Sequence, residues 1–176
     1  MHKLLLNRDI YLEFVQTYIP QARKFLWITT ADIKDMHVEI NGSFAPFLQL
    51  LSNLVDKGVA VRLIHAKEPG PRFRQDFDRF DSLLKNELFE RILCPRVHTK
   101  SVIIDNALAF VGSANLTGAG MGSKHEDKRN FEAGFLFDDP QSIQELVNWV
   151  DTLYLGHYCQ SCKRREYCPD PIDETI

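Results

Sequence analysis

The chain has 176 residues, 44% hydrophobic and 26% charged, which is ordinary soluble globular material and long enough for one domain that buries roughly 70% of its unfolded surface. Lys and Arg number 21 against 24 Asp and Glu, a net charge of −3. That balance lends no support to a dedicated nucleic-acid binder, although it leaves a local basic groove open.

No apolar run approaches the roughly 20 residues that a membrane-spanning helix needs. No stretch near the start combines a charged end, an apolar run and a small-residue cleavage site, so a cytoplasmic location is expected. From Asp9 to about Lys24, apolar Ile10, Leu12, Phe14, Val15, Tyr18 and Ile19 recur at roughly helical spacing, with Pro20 marking a break. Phe25–Thr29 is short, apolar and partly β-branched, as in a buried strand. Ala31–Ser43 is polar, ends in Asn-Gly-Ser and reads as a loop. Ala45–Lys57 is apolar at helical spacing, with Gly58 as the stop. Val59–His65 is a second strand, and a breaker-rich loop leads to a helix from Phe73 to about Glu87.

Leu88–Cys94, Val97–Asp105 and Ala107–Gly112 follow as three short strands, then Phe131–Phe137 as another. Asp139–Leu155 is an amphipathic helix with Pro140 in its first turn. Helices alternating with strands predict an α/β fold around a mostly buried mixed sheet. From Gly156 the composition changes to cysteine-dense and basic, then acidic, which reads as a small appendage.

The chemistry concentrates in VHTKSVIID, Val97–Asp105, and in GSAN, Gly112–Asn115. On a strand, alternate residues share a face, so His98 and Lys100 project together with Thr99 opposite. Ser113 and Asn115 follow the next strand, where a sheet exposes its ligand-binding edge. An imidazole, an ammonium, a hydroxyl and a carboxamide at one spot suit a phosphodiester, one attacking phosphorus and the rest holding its oxygens. Taken singly, HxK is common and Gly-Ser-Ala-Asn can be merely a turn with a helix cap. The conjunction is specific: HxK, then Asp105, then GSAN, then Asn130-Phe131-Glu132.

That series resembles the phospholipase D superfamily, whose signature is HxKxxxxD followed by GSxN. The likeness is strongest from Val97 to Gly134 and extends more loosely across about residues 4–155. It implies a phospholipase D-like catalytic domain over residues 1–155, and the cysteine-rich composition after it reads as a separate metal-binding tail over 156–176. It also implies the roles. His98 attacks phosphorus to form a phosphohistidine. Lys100 and Asn115, with Ser113, hold the phosphoryl oxygens. Glu132 fixes the imidazole tautomer, and Asp105 braces the strand end. No catalytic metal is required by this chemistry.

The leaving oxygen needs a proton, and a second histidine is the family's usual donor. His65-Ala66-Lys67 repeats HxK, but Arg72 stands where Asp should be and no GSxN follows. His2, His37, His125 and His157 lack the pattern too. A two-fold homodimer supplies the missing group, one His98 attacking while its mate donates. This resembles the single-motif members of the superfamily, which include small bacterial endonucleases. Nucleic acid is therefore the expected substrate. Lys124, Lys128, Arg129, Arg72 and Arg74 are candidate phosphate contacts, although interspersed acidic residues equally suit a solvated surface. The alternatives are phospholipid hydrolysis or phosphatidyl transfer, and a non-catalytic nucleic-acid-binding module.

In the tail, Cys159, Cys162 and Cys168 form CxxCx5C, with Cys94 or His157 as fourth ligand. A structural zinc is the expectation. The spacing before a proline also resembles the C-terminal iron–sulfur anchor of some helicase-associated nucleases.

Overall fold

The computed structural model describes residues 1–34 and 36–173. Its centre is a seven-stranded mixed sheet in the order β1-β9-β8-β7-β2-β5-β6. Strands β2 (Phe25–Thr30), β5 (Ala60–His65) and β6 (Phe89–Leu93) run parallel. Strands β7 (Ser101–Ile104), β8 (Leu108–Gly112), β9 (Ala133–Phe137) and β1 (His2–Leu6) are antiparallel, and β7 also pairs antiparallel with β2. The parallel half is built from crossovers and the antiparallel half from direct returns, which is why the sheet is mixed.

One face carries the larger core. There the N-terminal helical segment Ile10–Tyr18 buries Ile10, Phe14 and Val15, and Phe14 stacks on Phe110 of β8 at 4.6 Å. Its turns are wide, with the Ile19 amide reaching the Phe14 carbonyl, before a tight turn Ile19–Gln21 containing Pro20 ends it. Helix α1 (Phe47–Asp56) joins this face and ends in a Schellman arrangement. Gly58 sits at φ +86°, its amide bound to Val55 O and that of Val59 to Leu54 O.

Helix α4 (Pro140–Tyr154) covers part of the opposite face, with Ile143 and Val150 packed against Ile103 and Ala109. Asp139 caps it by accepting the Ser142 amide at 2.8 Å, ahead of Pro140. Arg62 clamps α4 to the sheet. Its guanidinium lies 4.2 Å over Trp27 and 3.5 Å over Tyr154, and it bonds Asp151 at 2.8 Å.

Several segments differ from expectation. The polar stretch 31–43 is not simply a loop, since β3 (His37–Ile40) and β4 (Ser43–Pro46) form a hairpin. Asn41 at φ +52° and Gly42 at φ +78° make its tight turn, the strongest short hairpin signal a sequence offers. The long helix expected from Phe73 is two short ones, α2 (Pro71–Phe77) and α3 (Asp81–Lys85). Strand β1 went unassigned because Leu4-Leu5-Leu6 shows no alternation, although only Leu5 is buried. No helix among the described residues is long and apolar enough to cross a membrane.

Gly112 and Gly134 face each other across β8 and β9. A Cβ on Gly134 would lie 2.4 Å from the Phe110 ring, and one on Gly112 would lie 2.7 Å from Ala133 O. The Phe110 ring is fully buried and pinned by Phe14, so it cannot yield. Gly134→Ala is expected to destabilise the fold by about 1–3 kcal/mol. The urea midpoint measures it, and an unchanged midpoint would show that the Phe110 ring can move.

Candidate active site

Strands β2, β5 and β8 end, and β7 and β9 begin, along one edge of the sheet. This edge collects the motif residues. His98 and Lys100 do not lie on a strand as expected, because residues 97–100 are irregular and β7 starts at Ser101. A turn closed by Val97 N to Cys94 O, 2.9 Å, delivers the segment, and Lys100 O accepts the Gly112 amide at 3.1 Å. That last bond sets the His98–Lys100 segment beside the start of GSAN.

His98 is exposed while Lys100 is buried, 8% accessible. The Lys100 ammonium bends back on its neighbour, donating to His98 O at 2.6 Å and lying 3.2 Å from His98 Nδ1. Further oxygen and nitrogen groups complete the edge. Ser113 donates its hydroxyl to Glu132, and Ser113 Oγ accepts the Ala133 amide at 3.1 Å. Asn130 donates to Glu132 Oε1 at 3.1 Å, and Asn7 binds the Glu132 main chain through both its side chain and its amide. Asn115 Oδ1 accepts the Asp32 amide at 3.1 Å, which turns its amide nitrogen to the other side. Thr30 Oγ1 ties this loop to the end of β2 by accepting the Leu116 amide at 3.0 Å.

The resemblance implies a Glu132–His98 hydrogen bond, and the structure has none. Glu132 is occupied by Ser113 and Asn130, and the Nδ1 of His98 faces Lys100. Asn7 and Thr30 are positioning residues that sequence reasoning missed, because each bonds across more than 80 residues and no local spacing announces it; Asn130, read only as part of the motif series, holds Glu132 two residues on.

Asp105 lies at the far end of β7, away from His98. With Asn106 it forms a turn in which both have positive φ, +54° and +59°, closed by Ala107 N to Ile104 O at 2.9 Å. Its carboxylate accepts the amides of Arg23, Lys24 and Phe25 at 2.7–2.9 Å. It therefore anchors the β7–β8 hairpin to the start of β2.

Of the candidate phosphate-binding cations, Arg74 is held by Glu68 and Asp78. Lys124 and Lys128 are exposed, and half-buried Arg129 has an Nε without a hydrogen-bond partner among the described residues. Arg129 leads directly into Asn130 and Glu132, which makes it the best placed of the set.

The expected single-ion site is not formed. Among the described residues no group of three or more His, Cys, Asp or Glu is arranged around one metal ion. Cys94, Cys159, Cys162 and Cys168 are free thiols, and all four line one cavity of about 380 Å³ that His98 also borders. His157 is exposed and outside it.

Signature residues from two separate segments thus meet at one sheet edge, in the order that the superfamily signature requires. The model of the family described as "Cardiolipin synthase, PLD-like domain" matches residues 15–154. The chain belongs to this family, and so to the phospholipase D superfamily. The fold agrees. NucT from Helicobacter pylori superposes with a TM-score of 0.62 at 16% identity, covering 86% of this chain and 95% of that one. Nuc from Salmonella typhimurium, a phospholipase D family member, gives 0.57 at 16% identity, covering 86% and 93%. TrmBL2, an archaeal chromatin protein described with a novel mode of DNA binding, gives 0.59 at 13% identity, covering 87% of this chain and 52% of that one. No curated protein sequence matches the chain.

His65, the histidine of the rejected second HxK, is fully buried at the end of β5. Its Nδ1 meets Lys67 O at 2.7 Å and its Nε2 accepts from Arg91 Nε at 2.8 Å. Burial, then the adjacent Arg91 charge, pulls its pKa down to about 4. The folded chain therefore keeps His65 neutral where the unfolded chain takes up a proton. Its contribution is complete above roughly pH 6.5 and is lost as pH falls toward 4, by about 3 kcal/mol in all. Melts at a series of pH values should show that slope, and His65→Gln should flatten it. An equal slope in both proteins would assign the acid sensitivity elsewhere.

Proposed function

We propose that the chain is a phosphodiesterase that cleaves nucleic acid through a phosphohistidine on His98, working as a homodimer with one composite site. The reading rests on one observation: His98 and Lys100 from one segment meet Ser113, Asn115 and Glu132 from others along a single open sheet edge.

The present geometry is a resting one. With Nδ1 facing an ammonium, the neutral ring carries its proton on Nε2 and is not yet a nucleophile. A phosphate anion competes for Lys100 more strongly than a neutral ring nitrogen does. Once Lys100 turns to the phosphoryl oxygens, Nδ1 can carry the proton and Nε2 the lone pair. Nε2 then bonds to phosphorus as the ester P–O bond breaks, and the second copy's His98 protonates the leaving oxygen. Water later attacks the phosphohistidine, giving its proton to that second imidazole, and His98 is regenerated. Lys100 and the Asn115 amide stabilise the charge on the phosphoryl oxygens.

The sheet supplies a surface for the second copy. Leu4, Phe135 and Val111 are direct cross-strand neighbours on the α4 side, beyond the area α4 covers, and are 51%, 54% and 37% exposed. Phe131, one residue before Glu132, is 97% exposed. Such a contiguous apolar row beside a polar site marks an interface. In the proposed dimer a two-fold contact there brings two His98 rings about one phosphate, one as nucleophile and one as acid. The same row also suits a lipid surface, so phospholipid cleavage is the second reading. The chain also covers nearly the whole of NucT and Nuc, 95% and 93% of their lengths, which supports a compact fold of similar size.

His98→Ala should lower cleavage by roughly 10³-fold or more against the wild type. Single-stranded DNA, duplex DNA, RNA, phosphatidylcholine vesicles and bis(p-nitrophenyl) phosphate form the substrate panel. Cleavage confined to vesicles would favour the lipid reading. Binding without His98-dependent cleavage of any substrate would leave a nucleic-acid-binding module.

Phe135→Asp should convert a dimer to a folded monomer in sedimentation, with loss of activity. A wild-type monomer fully active at high dilution would sink the composite site.

A further inference from the structure

The four cysteines of the described chain come from the β6–β7 turn and from the tail, yet all line the same cavity. We propose that this cavity holds a cuboidal iron–sulfur cluster ligated by Cys94, Cys159, Cys162 and Cys168, each thiol losing its proton on ligation. This site is independent of the phosphodiesterase reading.

Geometry decides between the two metals that cysteine spacing allows. A tetrahedral zinc, bound at about 2.3 Å, needs its thiolates roughly 3.8 Å apart. No such convergence on one ion exists among the described residues. A four-iron cluster instead takes its four thiolates around a larger core, and four cysteines line this one cavity. The cavity, about 380 Å³, is many times the ~30 Å³ of one water molecule. Its other walls match the same guest. Val97, Trp149 and Leu153 give it an apolar wall, while Arg96, Arg164 and Arg165 offset the negative charge of a thiolate-bound cluster.

The tail docks here through its own contacts. Asp170 accepts the Leu93 amide at 2.7 Å, Arg164 donates to Pro95 O at 3.0 Å, and Cys168 Sγ lies 3.8 Å from Leu93 O. Cys94 opens the turn that closes at Val97, and His98 follows directly and borders the cavity. A cluster at this place would stitch the tail to the segment bearing the nucleophile, in a positioning role.

The full chain, isolated without oxygen, should be brown, with a broad visible band and about four irons and four sulfides per chain. Cys162→Ala and Cys94→Ala should each lose most of that iron while the far-ultraviolet dichroism of the sheet is retained. Iron and sulfide analysis of the wild type decides the matter even if a variant misfolds. Colourless protein with one zinc, or folded protein without metal, would overturn the proposal, and full iron in Cys94→Ala would remove Cys94 from the ligand set.

Discussion

The arrangement depends on the register of one hairpin. The three-residue connection Asp105–Ala107 sets the pairing of β7 with β8, Ile104 opposite Leu108, with Asp105 and Asn106 both held at positive φ. Asp105 then ties that turn to β2 through three main-chain amides. A slip of one residue would turn every side chain of β7 to the other face and break the Lys100–Gly112 contact at the opposite end. The aspartate of the motif therefore acts at the far end of β7 from the histidine. It governs where the histidine segment and GSAN meet without approaching the chemistry.

At the working edge, polar groups are held by each other. Lys100 is held by His98, Glu132 by Ser113 and Asn130, and Asn115 by the Asp32 amide and Thr30. These bonds preorganise donors and acceptors whose partners a phosphate can replace. The missing Glu132–His98 contact follows from the same economy, since Ser113 and Asn130 occupy the carboxylate while Lys100 faces the ring.

The second face of the sheet divides into two regions. Helix α4, clamped by Arg62 between Trp27 and Tyr154, covers Ile103 and Ala109. Farther along the same strands, Val111, Phe135 and Leu4 stay open toward the edge that carries the motif residues. The tail docks beside the β6–β7 turn, its cysteines lining the same cavity as Cys94.

Much was legible from local pattern. Short apolar runs located β2, β5, β6 and β8, and Asp139-Pro140 located the start of α4, because burial and capping act over a few residues. The signature residues were legible because their spacing along the chain carries the family. Less visible was what depends on pairing between distant segments. The β1 strand is defined by β9, the irregular path of residues 97–100 by the Cys94 turn, and the Asn7 and Thr30 contacts by the closing of the sheet. Asn-Gly at 41–42 was a local signal read as a loop. Sequence alone determined which chemical groups the site contains, since their identity and order need no partner. Tertiary structure alone decided which groups touch, because hydrogen bonds and packing between separate segments are settled only when the sheet assembles.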